Sequence, residues 1–249
     1  MGMPRVARKK SLSGIYHIML RGINRQLIFL DDEDNEKFLQ TLIDCKKVSE
    51  FELYAYCIMG NHVHLLMKEG KEDLGQVFKR IGARYVFWYN WKYQRSGHLF
   101  QDRYRSEAVD NDPYFIVVLR YIHQNPKKAG LCKSISKYRW SSYGDYIRKS
   151  GIVDIDMALG IIGDSQFEKA MNEDIDDKCM EFADKSKRMT DEELVKDVEK
   201  KFNLKATMVQ YESKEVMKGI LREILKMEGV STRQLSRVTG ISANIIWRL

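Results

Sequence analysis

Residues 60–67 read GNHVHLLM. Gly-Asn is a turn dipeptide, and the six residues after it have the composition of a β-strand. Side chains on a strand alternate between its two faces, so His62 and His64 share one face while Val63, Leu65 and Met67 share the other. A strand written this way belongs in a sheet with two different surroundings, an apolar layer behind it and polar chemistry in front. Residues 52–59, ELYAYCIM, also read as a strand, and the two segments with the turn between them form an antiparallel hairpin.

The flanking sequence supplies the rest of the sheet and its cover. IYHIMLR at 15–21 has strand composition. DDEDNEKFLQTLIDCKKVSEF opens with acids, which favour a helix N-terminus, and places Phe38, Leu42, Ile43 and Val48 at near-helical spacing. Residues 72–95 read as a second helix with Leu74, Phe78, Ile81, Tyr85 and Trp88 in one apolar stripe. GHLFQDRYRSEAV is a further strand. A helix over 112–125 then starts with Asp112 as its cap and Pro113 at its first position, and stops at Pro126. The order β-α-β-β-α-β-α defines an α+β fold, a small antiparallel sheet with helices packed on it.

Charge divides the chain. Residues 1–150 carry 26 Lys and Arg against 16 Asp and Glu, whereas residues 151–249 carry 16 against 19. A basic front half is the footprint of a polyanion binder, and it is equally compatible with a solvated lysine-rich surface. Residues 151–184 hold ten acids and two bases, so this stretch is read as an acidic helical connector over 151–188 rather than a DNA surface. It separates a domain over 1–150 from an all-helical one over 189–249. The closing GVSTRQLSRVTGISANIIWRL has a helix-turn-helix pattern: Ser231 caps one helix with Leu235 and Val238 in its core, Gly240 turns the chain, and Ser242 caps a second helix carrying Ile245, Ile246 and Trp247. A three-helix packing module fits the same pattern. No apolar run approaches a membrane span, the N-terminus lacks a secretory core, and the four cysteines are scattered without a CxxC pair. The expectation is a cytoplasmic protein with reduced thiols.

Two imidazoles on one strand face can reach one cation, or can be buried rings held by other polar groups. Further donors are found on the 112–125 helix. Tyr121 and Asn125 lie four residues apart on one helical face, one offering a phenol and the other an amide oxygen. His123 faces elsewhere, and Tyr121 read alone is also an ordinary amphipathic core residue.

GNHVHLLM together with RYIHQNPKKAGL resembles the single-tyrosine HUH transposases, specifically the REP-associated tyrosine transposases. MPRVARKK, YHIMLRGINRQLIF, GHLFQDRYRS and YRWSSYGDY extend the resemblance over roughly residues 3–147, in the family's order. The resemblance implies a ferredoxin-like domain in which His62 and His64 are metal ligands and Tyr121 is the nucleophile. Asn125 matches the family's polar residue four positions after the tyrosine, where other single-tyrosine transposases carry glutamine. Attack by a tyrosine oxygen on a DNA phosphodiester gives a 5′-phosphotyrosine and a free 3′-OH, retaining the bond energy without ATP. A divalent ion, Mg²⁺ or Mn²⁺, suits nitrogen and oxygen ligands without thiolate.

The expected DNA contacts in the front half are Arg80, Arg84 and Trp91 on one flank of the 72–95 helix, Arg103 and Arg105 on the following strand, and Lys127 and Lys128 after Pro126. Phe87 and Trp91 also read as a widened core face, and His17 is given no role beyond packing. In the C-terminal helices Arg233, Gln234, Asn244 and Arg248 are candidates to face duplex DNA. The resulting expectation is a nucleoid-associated strand transferase acting on single-stranded or hairpin DNA, as monomer or homodimer. A non-catalytic DNA-binding regulator derived from such an enzyme is the alternative, and a metal phosphodiesterase without a covalent intermediate is a third reading.

Overall fold

The computed structural model describes residues 10–174, 179–180, 191–227 and 230–247. The chain divides into two compact units, one ending at Met180 and one beginning at Glu181. The first unit runs β1 (Ile15–Arg21), α1 (Asp32–Ser49), β2 (Glu52–Met59), β3 (His62–Lys68), α2 (Leu74–Lys92), β4 (Arg105–Ala108) and α3 (Asp112–Lys128), then the short helices α4 (Tyr143–Arg148), α5 (Asp156–Ile162) and α6 (Phe167–Asn172). The four strands form one sheet in the order β2-β3-β1-β4, with every pairing antiparallel.

Alternation along the strands builds two cores. Ile18, Leu20, Ile58, Val63, Leu65 and Met67 face α1 and α2, where they meet Phe38, Leu42, Val77, Ile81 and Tyr85. Ala55, Cys57, Met59 and Leu66 face the other way, toward Phe115, Val118, Leu119 and Ile122 of α3. The apolar stripe read for α2 is buried in the first core, with Trp88 packed at its margin. Val48 of α1 is half exposed instead of joining that core.

α1 opens with a reciprocal cap between Asp31 and Asp34, and Lys92 at the end of α2 reaches both carboxylates at 2.8 and 2.9 Å. α3 departs from the sequence reading at both ends. Its cap is Asn111, whose side chain accepts from the Tyr114 amide, so Asp112 is already helical. Pro126 lies inside the helix, which runs on to Lys128. A proline costs one backbone donor; this close to the end, the next turn is closed by the Ala129 amide bonding Asn125 O at 2.9 Å. β4 is four residues long, and Arg103 precedes it in a loop rather than alternating with Arg105 on a strand.

The boundary read at residue 150 falls inside the first unit. Ala158, Phe167 and Met171, from the acidic stretch, are buried against α3 and α4 in the second core, and Phe167 stacks on Tyr146 with ring centres 4.4 Å apart. Acids on the outer faces of α5 and α6 hid this apolar minority in the composition. Residues 175–178 and 181–188 of that stretch lie outside the described residues.

The second unit contains α7 (Asp191–Phe202), α8 (Lys214–Leu225), α9 (Thr232–Thr239) and α10 (Ala243–Trp247). Leu194, Val198, Leu221, Ile224, Leu235 and Ile246 form its core. The Ser231 side chain caps α9 by accepting from the Gln234 amide, and Gly240 closes α9 in the left-handed region at φ 75°. Among the described residues, no helix is long and apolar enough to cross a membrane.

Candidate active site

The strand register assembles a polar cluster on the α3 face of the sheet. β1 pairs with β3 so that Arg21 lies opposite His62 and Met19 opposite His64. β1 pairs with β4 so that His17 lies opposite Glu107 and Met19 opposite Arg105. The rings of His62 and His64 are 5.0 Å apart, and those of His64 and His17 are 5.2 Å apart.

α3 lies over this cluster. The Tyr121 ring sits edge-on to both His64 and His17, with centres 5.6 and 5.8 Å away. One helical turn later the Asn125 amide nitrogen is 3.3 Å from Nε2 of His64. The Lys128 ammonium lies 5.9 Å from the Tyr121 ring centre. The structure thus brings His62, His64, Tyr121 and Asn125 together. His123, on the same helix, points into the second core, where Nε2 is 2.8 Å from the Ser142 hydroxyl.

Both strand histidines have their inner ring nitrogen engaged. Nδ1 of His62 is 2.6 Å from Oδ1 of Asn61, an acceptor, so Nδ1 carries the proton and Nε2 keeps its lone pair. Nδ1 of His64 is 3.0 Å from Nε2 of His17. Burial, helped by the Arg21 charge, pushes the His62 imidazole down to about 4. Burial pushes His64 well below the usual range too, with His17 and His62 adding to the effect. Both rings are therefore neutral at neutral pH, the form that binds a cation.

These donors fit a hard-to-borderline divalent ion: two imidazole nitrogens and one amide oxygen, once the Asn125 side chain turns about its last bond. Among the described residues, no group of three or more His, Cys, Asp and Glu side chains is placed to hold a metal. With Asn125 included, the chain would offer three donors to such an ion.

The expected DNA contacts are scattered by comparison. Arg80 is clamped by Glu72, at 2.6 and 2.8 Å, and by the Ser49 hydroxyl, so it ties α2 to α1 instead of facing solvent. Arg84 lies 3.9 Å from Asp44, half exposed. Trp91 is 72% exposed and Phe87 78%, so neither widens the core. Arg103 and Arg105 are exposed, and the register places Arg105 on the face of the histidines. Lys127 reaches Asp174 at 3.2 Å. In the second unit Asn244 is exposed, whereas Gln234 is only 6% exposed and faces inward, since it occupies the buried side of α9 next to Leu235. Arg248 and the side chain of Arg233 lie outside the described residues.

Asn61, His17 and Glu107 are site residues that sequence reasoning missed. Asn61 reads as a turn residue, yet it also holds the loop after β1, with its amide nitrogen 3.2 Å from Arg25 O. Gly22 in that loop approaches so closely that a Cβ would come within 2.3 Å of Gln26 O. The signal for His17 is a polar ring at an alternate position of an otherwise apolar strand; its carboxylate partner is 90 residues away in sequence.

A four-stranded antiparallel sheet with a tyrosine-bearing helix laid across two strand histidines defines an α+β domain with a tyrosine, imidazole and amide cluster on one sheet face. Residues 10–125, from just before β1 to Asn125, match the family described as transposase IS200 like. The chain is 23% identical over 133 residues to the REP-associated tyrosine transposase of Escherichia coli strain K12, covering 53% of this chain and 77% of that protein. It is 27% identical over 153 residues to a putative REP-associated tyrosine transposase of Haemophilus influenzae strain Rd, covering 57% of this chain and 86% of that protein. A solved REP-associated tyrosine transposase bound to a REP hairpin shares the fold, with a TM-score of 0.51 and 21% identity over 62% of this chain and 90% of that one. The resemblance to REP-associated tyrosine transposases is thus found in both sequence and fold.

Proposed function

We propose that the first unit cleaves and rejoins single-stranded DNA beside a hairpin, with Tyr121 as nucleophile over a cation site made by His62, His64 and Asn125. The observation that carries this reading is the position of the Tyr121 ring against His64, with Asn125 one turn on at Nε2 of the same histidine. The Tyr121 oxygen attacks phosphorus, the 3′ oxygen of the upstream nucleotide leaves, and the DNA 5′ phosphate stays on the tyrosine. Attack by a 3′-OH reverses the step and joins a strand without ATP. A bound Mg²⁺ or Mn²⁺ would supply charge neutralisation at the scissile phosphate. His62 and His64 hold their rings on one strand face, Asn125 presents its amide beside them, and Lys128 meets the phosphate next to Tyr121. That a related transposase was solved with a REP hairpin supports hairpin DNA as the substrate. Arg105, Arg84 and Trp91 would guide the strand by phosphate contact and stacking.

In the second unit, α9, Gly240 and α10 make a helix-turn-helix that reads duplex DNA through Asn244, and the chain acts at the nucleoid, as monomer or homodimer. The capped α9 and the left-handed Gly240 support this reading. The test of the catalytic proposal is incubation with a single-stranded hairpin oligonucleotide in Mn²⁺ or EDTA, followed by denaturing gels. A protein–DNA adduct in Mn²⁺ and none in EDTA is expected; equal cleavage in both sinks the cation site.

A further inference from the structure

We propose that His17 and Glu107 are positioning residues that fix the His64 ring as a cation ligand; this rests on the reading of His62, His64 and Asn125 as the cation site. One proton decides which nitrogen of His64 is bare. Nδ1 of His64 and Nε2 of His17 are 3.0 Å apart, so a single hydrogen lies between two nitrogens. If His17 donates it, neutral His64 carries its own proton on Nε2 and has no lone pair for a cation. If His64 donates it, Nε2 of His64 is bare. The Asn125 amide nitrogen, 3.3 Å from that Nε2, is a donor facing it and fits the second arrangement.

The second arrangement has a consequence for His17. Its Nε2 accepts, so its own proton sits on Nδ1. That atom is buried with no hydrogen-bond partner in range, and the group in front of it is the Glu107 carboxylate, with Oε2 3.8 Å away. Glu107 is held in place by the Tyr114 hydroxyl at 2.7 Å and the Met180 amide at 3.1 Å, both donating to Oε2. A small approach of the ring completes a chain from Glu107 through His17 to His64. A carboxylate at that position favours the proton on Nδ1 of His17, which in turn favours the proton on Nδ1 of His64. His17 is fully buried between Ile15 and Met19 on β1, where an apolar side chain would avoid the desolvation of two ring nitrogens. The arrangement parallels that of His62, whose Nδ1 is held by Asn61. Metal-bound histidines are usually oriented this way, by a partner on the nitrogen remote from the metal.

The test uses the full chain. Two-bond ¹H–¹⁵N spectra of metal-free protein should show His64 protonated on Nδ1 and bare at Nε2; a proton on Nε2 overturns the proposal. Mn²⁺ affinity is then measured by competition with a chelating dye, with thermal melting as the check on folding. His17→Leu should weaken Mn²⁺ binding roughly 10–100-fold. His17→Gln, whose amide oxygen can still accept from His64, should stay within several-fold of wild type, a rescue that packing alone does not supply. Glu107→Gln should fall between the two. His62→Ala separates the two claims. If it loses Mn²⁺ while folded His17→Leu keeps it, the outer pair is wrong and the cation site stands. If His62→Ala binds Mn²⁺ as wild type does, the cation site is wrong and the outer pair falls with it. Should His17→Leu not fold, the His64 spectrum and His17→Gln decide.

Discussion

Leu65 and His64 are neighbours on β3, and they sit in opposite environments. Leu65 packs with Ile18, Phe38 and Ile81 in a core that asks only for volume and apolar surface. His64 is equally buried, but its two nitrogens meet His17 on one side and Asn125 on the other, so its surroundings must match in atom type and direction. The apolar face determines whether the sheet forms. The histidine face carries the proposed chemistry, and its buried nitrogens need partners matched in atom type and direction. This separation places the chemistry on a platform whose stability comes from the other side.

Paired variants can break that comparison. The largest effect is expected for His62→Ala, which removes a proposed cation donor from the exposed end of the cluster: cleavage should fall on the order of 1000-fold or more, with the melting temperature little changed. A folded His62→Ala that still cleaves would remove the functional half of the contrast. Leu65→Ala should do the reverse, costing about 2–5 kcal/mol of stability through lost burial and a cavity, while cleavage per folded molecule stays near wild type. Denaturant titration and single-turnover cleavage read the two together.

His123 sharpens the comparison, since it is a buried histidine on α3 with a structural role. Burial pushes it down to about 3 from an ordinary 6.5. The unfolded chain then binds the extra proton first, so His123 contributes stability above pH 6.5 that is lost as pH falls toward 3, up to roughly 5 kcal/mol. His123→Gln should flatten the acid side of the stability curve by one proton's share and leave cleavage at neutral pH unchanged; an unaltered slope contradicts the assignment. The smallest effect belongs to Trp91→Ala. Stacking of one base is worth about 1–3 kcal/mol, so single-strand affinity should drop while stability moves within about 0.5 kcal/mol. A loss of stability without a loss of affinity would return Trp91 to the apolar side of the ledger.

The same contrast explains which features were legible in the sequence. Alternation in HVHLLM placed both histidines on one face, and the α2 stripe and the Ser231 cap followed from spacing, because these are local patterns. The meeting of Tyr121 and Asn125 with His64 was read from helical spacing together with the family resemblance. What escaped depended on partners distant in the chain. Arg80 looked like a free cation until Ser49 and Glu72 enclosed it. His17 looked like packing until β4 brought Glu107 opposite it. The acidic stretch looked like a connector until Phe167 and Met171 were seen buried against α3 and α4. Gln234 was placed on a DNA-facing surface by pattern, while the burial of its helix face depends on α7 and the rest of the second unit.

The central claim is that Tyr121 is the nucleophile set over the histidine pair. Its most direct test is peptide mapping by mass spectrometry of the adduct formed with a single-stranded hairpin oligonucleotide in Mn²⁺. The account predicts a 5′-phosphate linkage on the Tyr121 peptide, and a Tyr121→Phe protein that binds the hairpin with unchanged affinity but forms no adduct. A linkage on any other tyrosine, a 3′-phosphate linkage, or an undiminished adduct in Tyr121→Phe would contradict it.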